Sequence, residues 1–434
     1  MKNKCNNIKW ILPLLLLLLS ADGVFGQNFV RKILWEDQNS IIRRYTDDTL
    51  ILYSRSKGQN IFFKASTVNT TVLYITLGND NIEINDFEVF DDTVYFCGSL
   101  KGQTSYALFG MFSASKFQTS TVKYCIFNQL KSFNRMAMFS VSGRPRAAMT
   151  ASYNNGYGTM VDFIRENSTI WHYYIADRID SCEIYDDVAV TSQHVVFTAR
   201  AFGNNGVLKY GRAQVVYHDK PVYSGNPFLI SGAVIRAFAN MSATTPIIIK
   251  HSWSNQFGIV NKTNNQKISV GRFVGYNYTE STEISLENGV TIRDLGYNDF
   301  IMEFELLTNK QIGNDVNSYI YHIEDYCFLY NSSAYYHLFT DTTAILSLAK
   351  VNSPGFLAHT ACGNKSQTLM MYRYIYNNYN CSNTGNTPTT VVDYTVNPLE
   401  TAILTQNNYK TLSTLSHSNG QTTLVIDCGQ KDEE

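Results

Sequence analysis

Beyond its first 26 residues the chain has no apolar run approaching the roughly 20 residues that a membrane helix needs, so no membrane span is expected. Charge is scarce as well. Lys, Arg, Asp and Glu supply 16% of the 434 residues, the formal net charge is −1, and there is no basic tract. Nucleic acid and anionic membranes are thereby poor partners, since both are held by clustered positive charge. The sequence has no CxxC, no HExxH, no GxSxG elbow and no phosphate-cradling glycine loop. The signatures of zinc modules, zinc hydrolases, serine hydrolases and nucleotide-binding units are missing with them, and neither a cofactor nor a metal is expected. The 3.6-residue apolar period of amphipathic helices is absent too.

What is present begins with an export leader. Lys2, Lys4 and Lys9 precede the apolar run Ile11 to Leu19, and Val24-Phe25-Gly26 is a plausible cleavage site. Residues 1–26 are therefore read as a cleaved signal peptide and 27–434 as one β domain, periplasmic or extracellular. Cys5 lies before the apolar run, where it cannot carry a lipid anchor. Of the eight cysteines, seven follow the leader. An odd number at irregular spacing is no disulfide framework, and the sequence reads these residues as small buried hydrophobes.

The abundant residues are Tyr (29) and Phe (25), which favour strands. FEVFDDTVYFCG (Phe87 to Gly98) aligns without gaps on VAVTSQHVVFTA (Val188 to Ala199), apolar position on apolar position. Looser copies are YTDDTLILYS (from Tyr45), VSGRPRAAMT (from Val141), MSATTPIIIK (from Met241), LGYNDFIMEF (from Leu295), VNSPGFLAHT (from Val351) and SNGQTTLVIDCG (from Ser418). Each reads as strand, tight polar turn, strand, which is a hairpin signature, and further strand-like text follows most of them. Four strands about every fifty residues is the spacing of a propeller blade. The expected fold is all-β: a single β-propeller of seven or eight four-stranded blades, eight by repeat count. The N-terminal strand NFVRKILW (Asn28 to Trp35) is expected to complete the last blade and close the ring.

The unit with an Asp-rich turn, "VYF" and a glycine-containing loop resembles the blades of NHL-type propellers. DFEVFDDTVYFCGS (Asp86 to Ser99) is similar to repeats of uncharacterised exported β-propeller proteins of Bacteroidetes. The resemblance implies a fold and carries no activity.

Chemistry has few candidates. Asp47-Asp48 and Asp91-Asp92 occupy the same turn of two repeats, where Asp caps local amides and tolerates positive φ. Cys97-Gly98, Cys362-Gly363 and Cys428-Gly429 end second strands and read as buried thiols beside a glycine that eases the strand exit. His322 and Glu324 have strand spacing and fit an exposed outer face or two metal ligands. Asp86, Arg293 and Asp294 are placed just before first strands, where they could reach the mouth of a channel. Sequons such as those at Asn69, Asn167 and Asn277 are no commoner than chance allows.

In a propeller the loop after the second strand emerges on the face where ligands bind. Those loops are expected to carry Tyr153, Asn155 and Tyr157, then Arg200, Phe202 and Asn204, then Trp253 and Asn255. Aromatic platforms flanked by amides suit a sugar or peptide surface. The reading is an exported, non-enzymatic scaffold whose partner is a glycan or a cell-envelope protein. The alternative is a polysaccharide hydrolase or lyase with its site at the channel mouth.

Overall fold

The computed structural model describes the backbone of the strands named below. Side chains are described for residues 41–46, 48–66, 69–151 and 411–423 and for a few further strand positions. Two short strands open the described chain, β1 (Val30–Lys32) and β2 (Leu34–Trp35). Groups of four follow. The first is β3 (Asn39–Thr46), β4 (Thr49–Ser56), β5 (Gln59–Ser66) and β6 (Thr71–Leu77). The second is β7 (Ile82–Phe90), β8 (Thr93–Leu100), β9 (Tyr106–Ser113) and β10 (Val122–Phe127). The third is β11 (Ser132–Val141), β12 (Arg144–Ser152), β13 (Tyr157–Ile164) and β14 (Thr169–Ile175).

The fourth group is β15 (Glu183–Val190), β16 (His194–Phe202), β17 (Leu208–Tyr217) and β18 (Phe228–Ser231). The fifth is β19 (Val234–Ala239), β20 (Phe257–Thr263), β21 (Lys267–Val274) and β22 (Asn277–Ser285). The sixth is β23 (Val290–Asn298), β24 (Glu303–Ile312), β25 (Asp315–Glu324) and β26 (Ala334–Asp341). A seventh group has three strands, β27 (Ala344–Lys350), β28 (Phe356–Cys362) and β29 (Ser366–Met371). Last come β30 (Asn383–Thr387), β31 (Thr389–Val392), β32 (Asn407–Thr411), β33 (Ser413–Leu415), β34 (His417–Thr423) and β35 (Val425–Cys428).

Each group is an antiparallel meander, and the final strands pair back onto the groups in reverse order. β30 adds to β26, β31 to β22, β32 to β14, β33 to β10 and β34 to β6, so five of the sheets have five strands. β35 pairs with β1 in a separate two-stranded ribbon, and β2 pairs with β29.

This corrects the expected β-propeller of seven or eight four-stranded blades. The described residues are all-β in antiparallel sheets, but no closed barrel or propeller is found among them. SNGQTTLVIDCG is no hairpin: its two strands, β34 and β35, pair with β6 and β1 instead of each other. NFVRKILW does not complete a last blade either, because its strands divide between the ribbon and the β29 edge. The physical reason is that strand patterning reports which faces are apolar, whereas pairing is decided by which backbone edges stand open. The hairpins read from Tyr45, Phe87, Val141 and Val188 do form, as β3–β4, β7–β8, β11–β12 and β15–β16. The copy from Met241 lies outside the described residues.

Position within a sheet explains the local sequence. β4 and β8 are buried along nearly their whole length, because sheet faces or outer strands cover them on both sides. They therefore read as the continuous runs LILY and VYFC and not as alternating ones. β6, nearer the outside, alternates. Phe62 is 0% exposed and centres the cluster between the first and second sheets, with Phe112, Phe87 and Phe96 at ring-centroid distances of 5.1, 5.5 and 5.8 Å. Burying one such ring stabilises by about 1.5–3 kcal/mol. A second cluster joins the second and third sheets through Phe109, Phe127, Phe133 and Met149. A third joins Phe139 and Ala148 to Val188, Val190 and Phe197 of the fourth.

Candidate functional site

The first strands carry the polar chemistry. β7 bulges between Ile84 and Asp86, and the same irregularity recurs between Phe133 and Arg135, Tyr185 and Asp187, and Ile292 and Asp294. An extra residue turns the side chains beyond it to a new direction. At the β7 bulge Asn85 donates to Phe133 O and Ser132 Oγ, both at 2.7 Å, tying the second sheet to the third.

Asp86 follows the bulge and is 3% exposed by side chain. Its Oδ1 accepts Arg43 Nη2 at 2.8 Å and the Phe87 amide at 2.9 Å, and its Oδ2 accepts the Met136 amide at 3.0 Å. Arg43 also donates to Glu88 Oε1 at 2.9 Å and lies over the Phe87 ring at 5.7 Å. One guanidinium thus spans two carboxylates of a neighbouring sheet, and one carboxylate holds the amide of a third. Towards the start of β7, Glu83 accepts Arg55 at 3.1 Å and Lys101 at 2.6 Å. These groups form a charged seam between sheets. Asp86 and Asp294 stand inside first strands and not before them, and so does Arg293. With both oxygens engaged and almost no exposure, Asp86 has no position to offer a substrate.

At the other end of β7, Asp91 and Asp92 both have positive φ (45° and 62°), as the turn reading requires. Asp92 does more than cap its turn. Its carboxylate accepts the Tyr45 hydroxyl from the first sheet, the Ser115 amide (2.9 Å) and hydroxyl (2.6 Å), and the Ser113 hydroxyl (3.2 Å). The hydrogen bond to Asp92, with burial and the Asp92 charge, pushes Tyr45 up to about 12. Burial works against the Asp92 carboxylate, but its bonds from Ser115, Tyr45 and Ser113 outweigh that and hold it below its ordinary value. Lys64 lies 4.8 Å over the Tyr45 ring and donates to Ala114 O at 2.7 Å. Burial lowers its pKa, and the nearby Asp92 partly offsets this. Asp91-Asp92 is therefore a staple between elements as well as a turn. Asp48 stands in the β3–β4 turn, and Asp47 lies outside the described residues.

Cys97 is 0% exposed in the cluster between the second and third sheets, and burial, then the Asp86 charge, push its thiol well up. A thiol kept protonated and out of reach is no nucleophile. Gly98 lies within β8 and not at its exit. A Cβ there would stand 1.9 Å from the Glu83 carbonyl oxygen, so the glycine is what lets β7 approach at its bulge. Cys362 and Cys428 end β28 and β35.

The loop candidates divide. Tyr153, Asn155, Asn204, Trp253 and Asn255 lie outside the described residues. Tyr157 opens β13, while Arg200 and Phe202 stand at the end of β16, in strands and not in loops. Interactions between first strands set the common direction of the sheets. Arg43 meets Asp86 and Tyr45 meets Asp92, Asn85 meets Phe133, and Phe139 shares a cluster with Val188 and Val190. β3, β7, β11 and β15 thus run side by side in one direction. The described second-to-third connections, residues 57–58 and 101–105, consequently share one end. In the sequence Trp253 and Asn255 fall between β19 and β20, a first strand and a second.

Register sets His322 opposite Glu305 and Glu324 opposite Glu303 in β24–β25, so the His322–Glu324 strand is the third of its sheet, paired on both sides. Among the described residues no group of three or more His, Cys, Asp or Glu could hold a metal ion. Nor is any helix among them long and apolar enough to cross a membrane. No protein-family model matches the chain, and no curated protein matches it.

Proposed function

We propose that the protein is an exported, non-enzymatic scaffold that binds a glycan or a cell-envelope protein through the second-to-third connections of its consecutive sheets. The observation that supports this most is the common end of those connections. The start of β13, with Tyr157, and the end of β16, with Arg200 and Phe202, fall at that end. The neighbouring 101–104 segment is exposed. Residues spread along one sequence thereby serve one surface, as recognition of an extended ligand requires. Trp253 and Asn255, on a connection of the other type, are left out of it.

The structural use of Asp86 also weighs against hydrolysis, since that carboxylate is committed to Arg43 and two backbone amides. The test is a glycan array with the mature protein and its Tyr153→Ala and Arg200→Ala variants. Binding should weaken about tenfold or more in both variants, worth some 1.4 kcal/mol each, and stay unchanged in Trp253→Ala. Equal loss in Trp253→Ala would refute the shared surface. No signal on any glycan would leave the protein-partner form alone, to be sought by crosslinking on intact cell envelopes.

A further inference from the structure

Eight Asn-x-Ser/Thr sequons occur in the chain, a number that chance accounts for. Their placement against the strands is another matter. Asn69 stands in the connection from β5 to β6, a third strand and a fourth, and its Thr71 opens β6. In the sequence Asn167 falls between β13 and β14 and Asn331 between β25 and β26, again third and fourth strands. Asn277 is the first residue of β22, a fourth strand. Half of the sequons thus mark one kind of connection. In the sequence the second-to-third connections carry a single sequon, at Asn364 between β28 and β29.

In a meander the third-to-fourth connection returns to the end that holds the first-to-second turn. The second sheet shows this directly: Asp92, in the β7–β8 turn, accepts from Ser113 and Ser115 where β9 leads into the connection to β10. The first sheet has its corresponding end beside it, since Tyr45 reaches Asp92 and Lys64 reaches Ala114 O. Residues 57–58 and 101–105 are at the far end of the same strands. The two described connections use their side chains differently. Between β9 and β10, Ala114 and Phe117 are buried and Gln118 donates to Gly420 O at 2.6 Å, so that connection is folded down and carries no sequon. Asn69, Thr70 and Thr71 are all exposed. An N-glycan acceptor needs its amide and the hydroxyl two residues on within reach, and a bulky glycan needs open solvent. Asn69 meets both needs.

We propose that Asn69 is an N-glycosylation site. The donor is an oligosaccharide on a lipid pyrophosphate, met in the lumen of the export pathway. Asn69 Nδ2 attacks C1 of the first sugar, the C1–N bond forms, and the C1–O bond to pyrophosphate breaks. The amide gives up one proton and the lipid pyrophosphate leaves. The glycan then projects from the end of the first sheet away from residues 57–58 and leaves the proposed binding end free. The inference rests on export in its extracellular form and not on the binding surface.

The protein is recovered from the cells that make it and from their medium, and its N-terminus is sequenced. N-glycans are released enzymatically in heavy-oxygen water, which leaves a mass-tagged Asp at each occupied site. The peptide with Asn69 should carry the tag in most copies. Thr71→Val should lose it and Thr71→Ser should keep it, while Asn69→Gln protein should migrate as smaller by one glycan. A bare Asn69 in protein that has lost residues 1–26 would overturn the site alone. A bare Asn69 in protein that keeps them would overturn the export reading with it. A tag that survives Thr71→Val would overturn acceptance through the sequon. An occupied Asn69 in protein that binds nothing on the glycan array would support this site and count against the binding surface.

Discussion

Asp86 offers the sharpest test of the seam. Replacing it with Asn keeps the shape and removes the charge. The Asn can accept through one oxygen only, so it cannot hold both the Phe87 and the Met136 amides while also serving Arg43. Hydrogen bonds to a charged group contribute about 1.5–3 kcal/mol each, and breaking a fully buried ion pair costs about 3–5 kcal/mol. Arg43 is 22% exposed and keeps Glu88, so the lower part of that range applies. About 3 kcal/mol is expected. With an unfolding entropy of about 2.1 cal/mol/K per residue, a cooperative chain of 434 residues would lose about 3 °C in Tm. Arg43→Met should cost a similar amount, since it strands the buried carboxylate. Because the two changes remove one interaction, the double variant should be about 1.5–3 kcal/mol less damaged than the sum. Thermal melts of the four proteins, followed by circular dichroism, measure this. Strict additivity would refute the view that Arg43 and Asp86 act as one unit.

Three further outcomes follow from the same geometry. Tyr45 should ionise near pH 12, seen as the difference in tyrosinate absorbance between the protein and Tyr45→Phe, and should fall towards its ordinary 10 in Asp92→Ala. Since its folded pKa is raised, the stabilisation it gives is complete below pH 10 and is lost as pH rises through 12. Gly98→Ala should destabilise by about 3 kcal/mol or block folding, because the clash is with Glu83 backbone. Gly58→Ala, in open space at φ +84°, should cost only about 1 kcal/mol, the left-handed strain alone; denaturant melts compare the two. Cys97 should resist a thiol reagent at pH 8 in the folded protein and react fully in denaturant, read by mass spectrometry of the peptide.

Local signals in the sequence reached as far as local physics does. Period-2 patterning, aromatic and β-branched runs, and short polar turns (Asp-Asp, Ser-Gly or Ser-Gln) suffice for the hairpins at Tyr45, Phe87, Val141 and Val188, because a hairpin is fixed by neighbours in sequence. The same signals misled at Ser418 to Gly429, where two strands look like a hairpin and pair elsewhere. Asp86 was legible as a carboxylate near a strand but not as the partner of Arg43, 43 residues away. Asp92 was legible as a turn residue but not as the acceptor for Tyr45. Among the loop candidates, the sequence could not say that Trp253 follows a first strand while Asn204 follows a second one.

The sequence by itself determined the strand-rich class, the apolar faces, the turns that demand positive φ, and the burial of Cys97 implied by its place in VYFCG. Each depends on residues within a few positions of one another. The tertiary structure alone decided which edges pair, that the final strands run back along the outer edges of earlier sheets, and which charges meet across the seam. Backbone hydrogen bonds are the same for every residue, so an open edge leaves no mark in the sequence of the strand that comes to cover it.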